Sequence, residues 1–158
     1  MNSTCDAEFD ADQITSLVWC GATPGTNGIV LLSALGIKRV VNVEMFQSYR
    51  QDMLARAGIN IVNFPIRDID EPLSDRLIDR VVAAIDEYAS CGRQVYVHCT
   101  AGWQRSPAVV ACYLVYTGMT AEQSLALVKQ KRPVVRFYST HIASVIRYEM
   151  RLRCLAGH

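Results

Sequence analysis

Three consecutive segments decide the fold: Arg93-Gln-Val-Tyr-Val-His98, then Cys99-Thr-Ala-Gly-Trp-Gln-Arg-Ser106, then an apolar run from Pro107 to Tyr116. The Val and Tyr content of the first segment predicts a strand, and the third segment is apolar and long enough to predict a helix. Pro107 suits the first turn of that helix, where its missing N–H is no loss. A strand that passes through a short polar turn into a helix is typical of an α/β domain.

The rest of the chain continues this alternation of strands and helices. The helix after Ser74 places apolar residues on one face, and Thr120 with Gln123 resembles a capping box. We therefore predict a single α/β domain with a mainly parallel sheet of about four or five strands flanked by helices, covering residues 14–158 after an acidic N-terminal segment, 1–13. The other predicted strands are 17–20, 38–43 and 59–64, and the other predicted helices are 27–35, 45–57, 120–131 and 139–155.

Composition limits the classes of function. A length of 158 residues with 51% hydrophobic residues fits one domain with a substantial core. The net charge of +1 argues against a nucleic-acid partner. The apolar runs are far shorter than the roughly 20 residues of a membrane span. The acidic first residues, with Asp6, Glu8, Asp10 and Asp12, do not resemble a secretory signal, so we expect a cytoplasmic protein, and a monomer.

Six cysteines occur without C-x-x-C or zinc-ligand spacing, so we expect neither a metal site nor a cofactor. Within strand or helix patterns a cysteine usually behaves as a small buried hydrophobe, and we predict this for Cys20, Cys91, Cys112 and Cys154. Cys99 is different because it follows a strand and begins the polar turn.

The turn from Cys99 to Ser106 carries the chemistry. It lies at the carboxyl end of a strand and at the start of a helix, where α/β proteins bind anions. Backbone N–H groups of a turn wrapped around a phosphoryl group would act as donors, and Gly102 would permit the tight curl. Arg105 can hold two phosphate oxygens bidentately. The phosphate-binding residues predicted here are Thr100, Ala101, Gly102, Trp103, Gln104 and Arg105.

Cys99 would lie beneath the phosphorus atom as the nucleophile. The partial positive charge of the turn favours its thiolate, which is the reactive form. Ser106 can donate a hydrogen bond to that thiolate when it leaves, and His98 can order the end of the strand behind it. The predicted catalytic residues of this segment are therefore Cys99, Arg105, Ser106 and His98.

The pattern H-C-x-x-G-x-x-R-S resembles the signature of the Cys-dependent protein tyrosine phosphatases, and the chain is most similar to their dual-specificity branch. The similarity extends to Arg39-Val-Val-Asn-Val43, Pro65-Ile-Arg-Asp68 and Lys131-Arg-Pro133, and covers roughly residues 14 to 155. The resemblance implies metal-independent hydrolysis of phosphotyrosine, and of phosphoserine and phosphothreonine, on phosphorylated proteins through a cysteinyl-phosphate.

The resemblance also implies a general acid, an Asp about 30 residues before the Cys. We favour Asp68, because it follows Pro65-Ile-Arg, and keep Asp70 as the alternative. Low-molecular-weight tyrosine phosphatases are excluded, since they place this Asp after the Cys, and no Asp follows Cys99.

Other substrates and functions stay open. Cys99-Thr-Ala-Gly102 resembles the plant glucan phosphatases and laforin, although those enzymes usually have Gly where Gln104 stands. Phosphoinositide phosphatases of the superfamily tend to carry lysines inside the loop, whereas Thr100, Ala101, Trp103 and Gln104 are uncharged. A phosphate-reading module without turnover, and a redox sensor that pairs Cys99 with a second Cys, are the alternatives outside hydrolysis.

Residues around the loop give further expectations. Trp103 either forms a wall for an aromatic ester or packs over the domain. We expect Arg132 and Arg136 to face the cleft and to attract acidic substrates, which with Trp103 favours phosphotyrosine peptides. The remaining expectations are a solvated helix face with Arg147, Arg151 and Arg153, and surface positions for His141 and His158.

Overall fold

The computed structural model describes residues 9–46 and 51–157, which form a five-stranded sheet with helices on both faces. The spatial order of the strands is β1-β2-β5-β3-β4. β1 pairs antiparallel with β2, and all other neighbours are parallel, which confirms the predicted mainly parallel sheet. The strands are β1 (Ala11–Gln13), β2 (Val18–Gly21), β3 (Arg39–Asn42), β4 (Asn60–Asn63) and β5 (Val95–His98).

Six helices cover the sheet within the described residues. Ser74 caps α3 by accepting the Leu77 N–H, and Thr120 with Gln123 forms the predicted capping box of α5. These side chains bond donors that a helix leaves unpaired at its first turn. The helices are α1 (Thr26–Ala34), α2 (Gln51–Arg56), α3 (Asp75–Ala89), α4 (Arg105–Tyr116), α5 (Ala121–Lys131) and α6 (Ser139–Leu155).

Side chains of β5 alternate between two hydrophobic cores. Val95 and Val97 join the larger core with α3 and α4, while Tyr96 joins the smaller core with α1 and α2. Both faces of the sheet are therefore covered, which explains why its inner strands are mostly apolar. Helix α4 is buried almost all round, as expected for a helix in the middle of a core. The turn between β5 and α4 consequently joins a fully buried strand to an almost fully buried helix, at the centre of the carboxyl edge of the sheet.

Three segments differ from the sequence prediction. Within the described residues, the predicted helix 45–57 is present as α2, whereas residues 45 and 46 form an exposed bend after β3; residues 47–50, with Tyr49, lie outside the described residues. Helix α4 begins two residues before Pro107, which a first helical turn tolerates. Strand β1 was not predicted, since its polar edge sequence has no apolar alternation, and it places residues 11–13 in the sheet rather than in a separate segment.

The cysteines divide between the core and the surface. Cys20 and Cys112 are buried as predicted, whereas Cys91 and Cys154 are exposed because they lie at or beyond helix ends. Cys5 lies outside the described residues. In the part of the chain that the structure describes, no helix combines the length and apolar character that crossing a membrane requires.

Candidate active site

Cys99 lies at the base of a loop, residues 99–104, that curls between β5 and α4. Its side chain is buried, and its Sγ accepts a hydrogen bond from the Gly102 N–H over 3.2 Å. Ser106 Oγ lies 3.2 Å from the same sulfur. Gly102 has φ +71°, a conformation that favours glycine and that lets the loop close over the sulfur. The Gly102 N–H is therefore directed at the Cys99 sulfur, and the Ser106 hydroxyl lies within hydrogen-bond distance of it.

The N-terminus of α4 points into this loop without a side-chain cap. Gln104 occupies the cap position, and its side chain makes no capping hydrogen bond, in contrast to Ser74 of α3 and Thr120 of α5. The N–H groups of the first turn therefore remain available to an anion, and the helix dipole favours negative charge at the same place.

Arg105 is buried and fixed at the first position of α4. Its Nη1 donates to the Ile66 carbonyl over 3.1 Å, and its Nη2 donates to Thr100 Oγ1 over 3.1 Å. Its Nε is buried and has no hydrogen-bond partner among the described residues. Because a buried donor without a partner is unfavourable, this N–H is suited to an oxygen of a bound anion.

Asp68 lies at the mouth of the loop. Its Oδ2 is 3.5 Å from Arg105 Nη2, and its side chain is 51% exposed. Tyr138 donates a hydrogen bond from its hydroxyl to Asp68 Oδ1 over 3.1 Å. Tyr138 was not predicted from the sequence, because it lies in the turn before α6 and no motif marks it.

Asp70 has a different role in the structure. Its carboxylate accepts hydrogen bonds from the Thr140 N–H and hydroxyl and from Ser139 Oγ, so it caps the start of α6. These hydrogen bonds lower the pKa of Asp70. A carboxyl group that stays deprotonated and is turned to α6 is poorly suited to donate a proton, and the geometry favours Asp68 over Asp70 for that step.

His98 and Glu44 support the loop from below. His98 Nδ1 lies 3.2 Å from the Cys99 carbonyl oxygen and 3.6 Å from Glu44 Oε2, and burial lowers the pKa of His98 to about 4. Glu44 Oε1 accepts hydrogen bonds from the hydroxyls of Thr23 over 2.6 Å and Thr100 over 2.7 Å. Glu44 was not predicted from the sequence, although an acidic residue just after a buried strand of a parallel sheet is a usable signal.

Arg132 does not face the cleft, which corrects the expectation from the sequence. Its side chain is fully buried, because its Nη1 donates to carboxylate oxygens of Asp10 over 2.9 Å and Asp12 over 2.8 Å. A buried guanidinium is tolerated when its donors are bonded in this way.

Arg136 is exposed, and its backbone N–H donates to the Trp103 carbonyl over 2.9 Å. Trp103 is 44% exposed, so its indole is accessible beside the loop.

Other predicted surface residues are more enclosed than expected. His141 is buried, because Tyr138 packs edge-on against its ring at 5.1 Å and the start of α6 faces the loops of the site. His158 lies outside the described residues. Arg147 and Arg151 form ion pairs with Asp75 and Asp79 of α3, and the more exposed Arg153 pairs with Glu149.

Cys20 is the second thiol near the loop. Its Sγ lies 3.6 Å from Ser106 Oγ, the hydroxyl that also contacts Cys99. Burial raises the pKa of Cys20 to about 12, so it stays protonated.

Among residues 9–46 and 51–157, no group of three or more His, Cys, Asp and Glu side chains is placed to hold a metal ion.

Comparison with known proteins gives one family. The family model named "Dual specificity phosphatase, catalytic domain" matches residues 18–151. The chain is 30% identical over 140 residues to the phosphatidylglycerophosphate phosphatase PTPMT1 of Arabidopsis thaliana, covering 87% of this chain and 42% of that protein. It is 24% identical over 152 residues to dual specificity protein phosphatase 1 of Mus musculus, covering 92% of this chain and 38% of that protein.

The fold is also similar to solved structures. A structure of PTPMT1 in complex with PI(5)P superposes with a TM-score of 0.84 at 20% sequence identity, covering 92% of this chain and 98% of that one. The chain spans less than half the length of the two curated relatives described above.

Proposed function

The chain belongs to the dual specificity phosphatase family, and we propose that it is a metal-independent phosphatase acting through a cysteinyl-phosphate on Cys99. One observation carries the proposal: the Gly102 N–H donates to the Cys99 sulfur and Ser106 Oγ lies 3.2 Å from it, while Arg105 at the start of α4 keeps a buried Nε without a hydrogen-bond partner among the described residues. A nucleophile and phosphate donors thus converge on one point.

The reaction has two steps. Loop N–H groups and Arg105 hold the phosphate while the Cys99 thiolate attacks phosphorus, so that an S–P bond forms and the P–O bond to the leaving group breaks. Asp68 gives its proton to the departing oxygen. Water then attacks the cysteinyl-phosphate, Asp68 takes a proton from that water, and the S–P bond breaks with Ser106 donating to the departing thiolate.

Turnover of p-nitrophenyl phosphate in excess chelator tests this chemistry. We expect full activity in chelator and no turnover by Cys99→Ser, with Cys91→Ser as the control because Cys91 is an exposed cysteine after α3. Arg105→Lys should also lose most activity, since an ammonium cannot reproduce the planar fork. Dependence on added metal, or an active Cys99→Ser variant, would contradict the mechanism.

Phosphorylated proteins are the first substrate class we propose, with phosphotyrosine turned over fastest. The exposed Trp103 indole can contact an aromatic ring, and exposed Arg136 lies next to it for acidic neighbours of the phosphorylated residue. Phosphothreonine and phosphoserine peptides should be slower, because their phosphate is nearer to the peptide backbone.

A phospholipid monoester is the second candidate, and a specific surface feature favours it. Loops at the carboxyl edge of the sheet expose apolar side chains around the phosphate loop: Phe46 at 82%, Ile69 at 46% and Trp103 at 44%. Exposed apolar groups beside a phosphate site suit an amphiphilic substrate at a membrane surface. The similarity to a phosphatidylglycerophosphate phosphatase agrees with this candidate. We place glucan phosphate third, since no described contact favours it.

A side-by-side assay decides between these substrates. Phosphate release is measured on a phosphotyrosine peptide, a phosphothreonine peptide, phosphorylated amylopectin, and vesicles containing a phosphoinositide or phosphatidylglycerophosphate. Phe46→Ser should slow release from vesicles and leave p-nitrophenyl phosphate unchanged if the substrate is a lipid. Preference for vesicles or amylopectin would move the function away from proteins, and binding without turnover on any substrate would support a phosphate-reading module.

A further inference from the structure

The acidic edge strand at the N-terminus is connected to the phosphate loop through one buried side chain. Asp10, the residue before β1, and Asp12, the middle residue of β1, contact Arg132 Nη1 at 2.9 Å and 2.8 Å. The same guanidinium donates from Nε to the Gly102 carbonyl over 2.8 Å and from Nη2 to the Ala101 carbonyl over 3.1 Å. The proposed reaction assigns no step to any of these three charged residues.

Arg132 donates hydrogen bonds to the carbonyl oxygens of two peptide units of the loop. The N–H groups of the same two peptide units face the inside of the loop. The carbonyl and N–H of a trans peptide point in opposite directions. The Ala101 carbonyl belongs to the same peptide as the Gly102 N–H, which donates to Cys99 Sγ. The Gly102 carbonyl likewise shares its peptide with the Trp103 N–H. With both carbonyls bonded to Arg132 on the outside, both N–H groups are directed into the loop.

The packing between β1, β2 and the loop leaves little room for another arrangement. A Cβ on Gly102 would lie 2.5 Å from the Gly21 carbonyl carbon and 2.7 Å from Arg132 Nη2. A Cβ on Gly21 would lie 2.3 Å from the Asp10 carbonyl oxygen. The loop, the end of β2 and Asp10 are therefore in direct contact, so a displacement of β1 is transmitted to the loop.

We propose that Asp10, Asp12 and Arg132 are positioning residues that hold the phosphate loop in its anion-binding conformation. The inference rests on the proposed function, since the anion is the phosphate of that reaction. Arg132 stays buried because the two carboxylates balance its charge and complete its hydrogen bonds. Without them, the guanidinium gains by turning towards water, and the two loop carbonyls lose their donor.

The double variant Asp10→Ala/Asp12→Ala tests the proposal without altering the buried arginine. Both carboxylates are about half-exposed, at 55% and 43%, so the variant should fold. We expect the inhibition constants of orthovanadate and inorganic phosphate to rise about tenfold, and kcat for p-nitrophenyl phosphate to fall by a similar factor. Asp10→Asn/Asp12→Asn, which keeps oxygen acceptors, should restore part of the loss.

The matched control is Asp75→Ala/Asp79→Ala, which removes two carboxylates from Arg147 and Arg151 on α6. It should leave orthovanadate inhibition and kcat unchanged, even if the protein unfolds at a lower temperature. The proposal is overturned if the Asp10/Asp12 variant is folded and keeps three wild-type values: the inhibition constant of orthovanadate, kcat, and the affinity for orthovanadate measured by calorimetry. The thermal stability of the variant does not affect this conclusion.

Calorimetric binding of orthovanadate separates this inference from the proposed function. A wild-type chain that binds orthovanadate but hydrolyses nothing would contradict the phosphatase proposal, while weaker binding by the Asp10/Asp12 variant would still support the positioning role. A wild-type chain that neither binds orthovanadate nor turns over a phosphoester would overturn both.

Discussion

The Tyr138 hydroxyl donates a hydrogen bond to Oδ1 of Asp68 over 3.1 Å, while Arg105 Nη2 lies 3.5 Å from the other carboxylate oxygen. The carboxylate is thus held from two sides at the mouth of the phosphate loop. Partial burial, and then the hydrogen bond to Asp68, raise the pKa of Tyr138, so its hydroxyl remains a donor across the neutral range. Tyr138 therefore orients the carboxyl group proposed as the general acid.

Tyr138→Phe should reduce turnover most when the leaving group is poor. The phenyl ring can keep its packing against His141, but the hydrogen bond to Asp68 is lost. A hydrogen bond to the neutral, protonated carboxyl group that donates the proton contributes about 1 kcal/mol, so we expect roughly a fivefold loss of kcat on a phosphopeptide. A much smaller loss is expected on p-nitrophenyl phosphate. Equal losses on both substrates would show that Tyr138 acts on something other than proton transfer.

Asp68→Asn and Asp70→Asn should separate catalysis from stability. A general acid typically contributes 10²- to 10⁴-fold, so Asp68→Asn should lower kcat on a phosphopeptide by about that factor and impair p-nitrophenyl phosphate less. Asp70→Asn should keep activity but unfold at a lower temperature, because it weakens the cap of α6. Should Asp70→Asn show the leaving-group pattern instead, the acid has been assigned to the wrong residue.

The cap that Asp70 forms at the start of α6 should also make the stability of the protein depend on pH. Since the pKa of Asp70 is lower in the folded protein than in the unfolded chain, its contribution is complete above the unfolded value near 3.8 and is lost as the pH falls below it. Thermal unfolding of wild type and Asp70→Asn should therefore converge at the lowest pH values. A difference that stays constant with pH would mean that the charge of Asp70 contributes nothing.

Stability should also fall in a higher window because of His98. Burial lowers the pKa of His98 in the folded protein to about 4, against 6.5 for an exposed histidine, so the unfolded chain binds the proton first. Stability is then lost as the pH falls from about 6.5 towards 4. Urea unfolding of His98→Asn should show a shallower loss across this range than wild type. The urea unfolding of His141→Asn is measured over the same pH range for comparison, because burial also lowers the pKa of His141.

Gly102→Ala should abolish most activity, whereas Gly92→Ala should not. Both glycines have positive φ, +71° and +74°, so alanine is strained by roughly 1 kcal/mol or more at either position. Only at Gly102 would the new Cβ also meet backbone, since Gly92 has nothing within 4 Å. A shift of the loop by about 1 Å can reduce the rate by 10²-fold, which is the loss we expect in kcat for Gly102→Ala. Similar activities of the two variants would contradict the tight packing of the loop on β2.

Local patterns were sufficient for most elements and insufficient for two segments. Apolar periodicity and caps predicted α3, α5 and α6, because such signals depend on residues three or four positions apart. The same periodicity predicted a helix from Met45, where the structure has an exposed bend before α2. Strand β1 gave no pattern, since an edge strand is defined by its neighbour β2 and by solvent rather than by its own side chains.

The sequence by itself determined the class of the sheet and located the loop that we propose as the phosphate site. Residues from His98 to Ser106 are contiguous, so their types and spacing already define a strand end, an anion-binding turn and a helix start. The sheet class followed from the alternation of strands and helices, which is likewise local.

Only the tertiary structure decided which distant residues reach that loop. It separated Asp68 from Asp70 by turning the second carboxylate to α6, and it brought Glu44 and Tyr138 to the site. It also buried Arg132 against Asp10 and Asp12. These contacts join residues tens of positions apart. A charged residue is predicted to be exposed unless its partners are known. Their placement depends on strand order and helix packing, which no local pattern encodes.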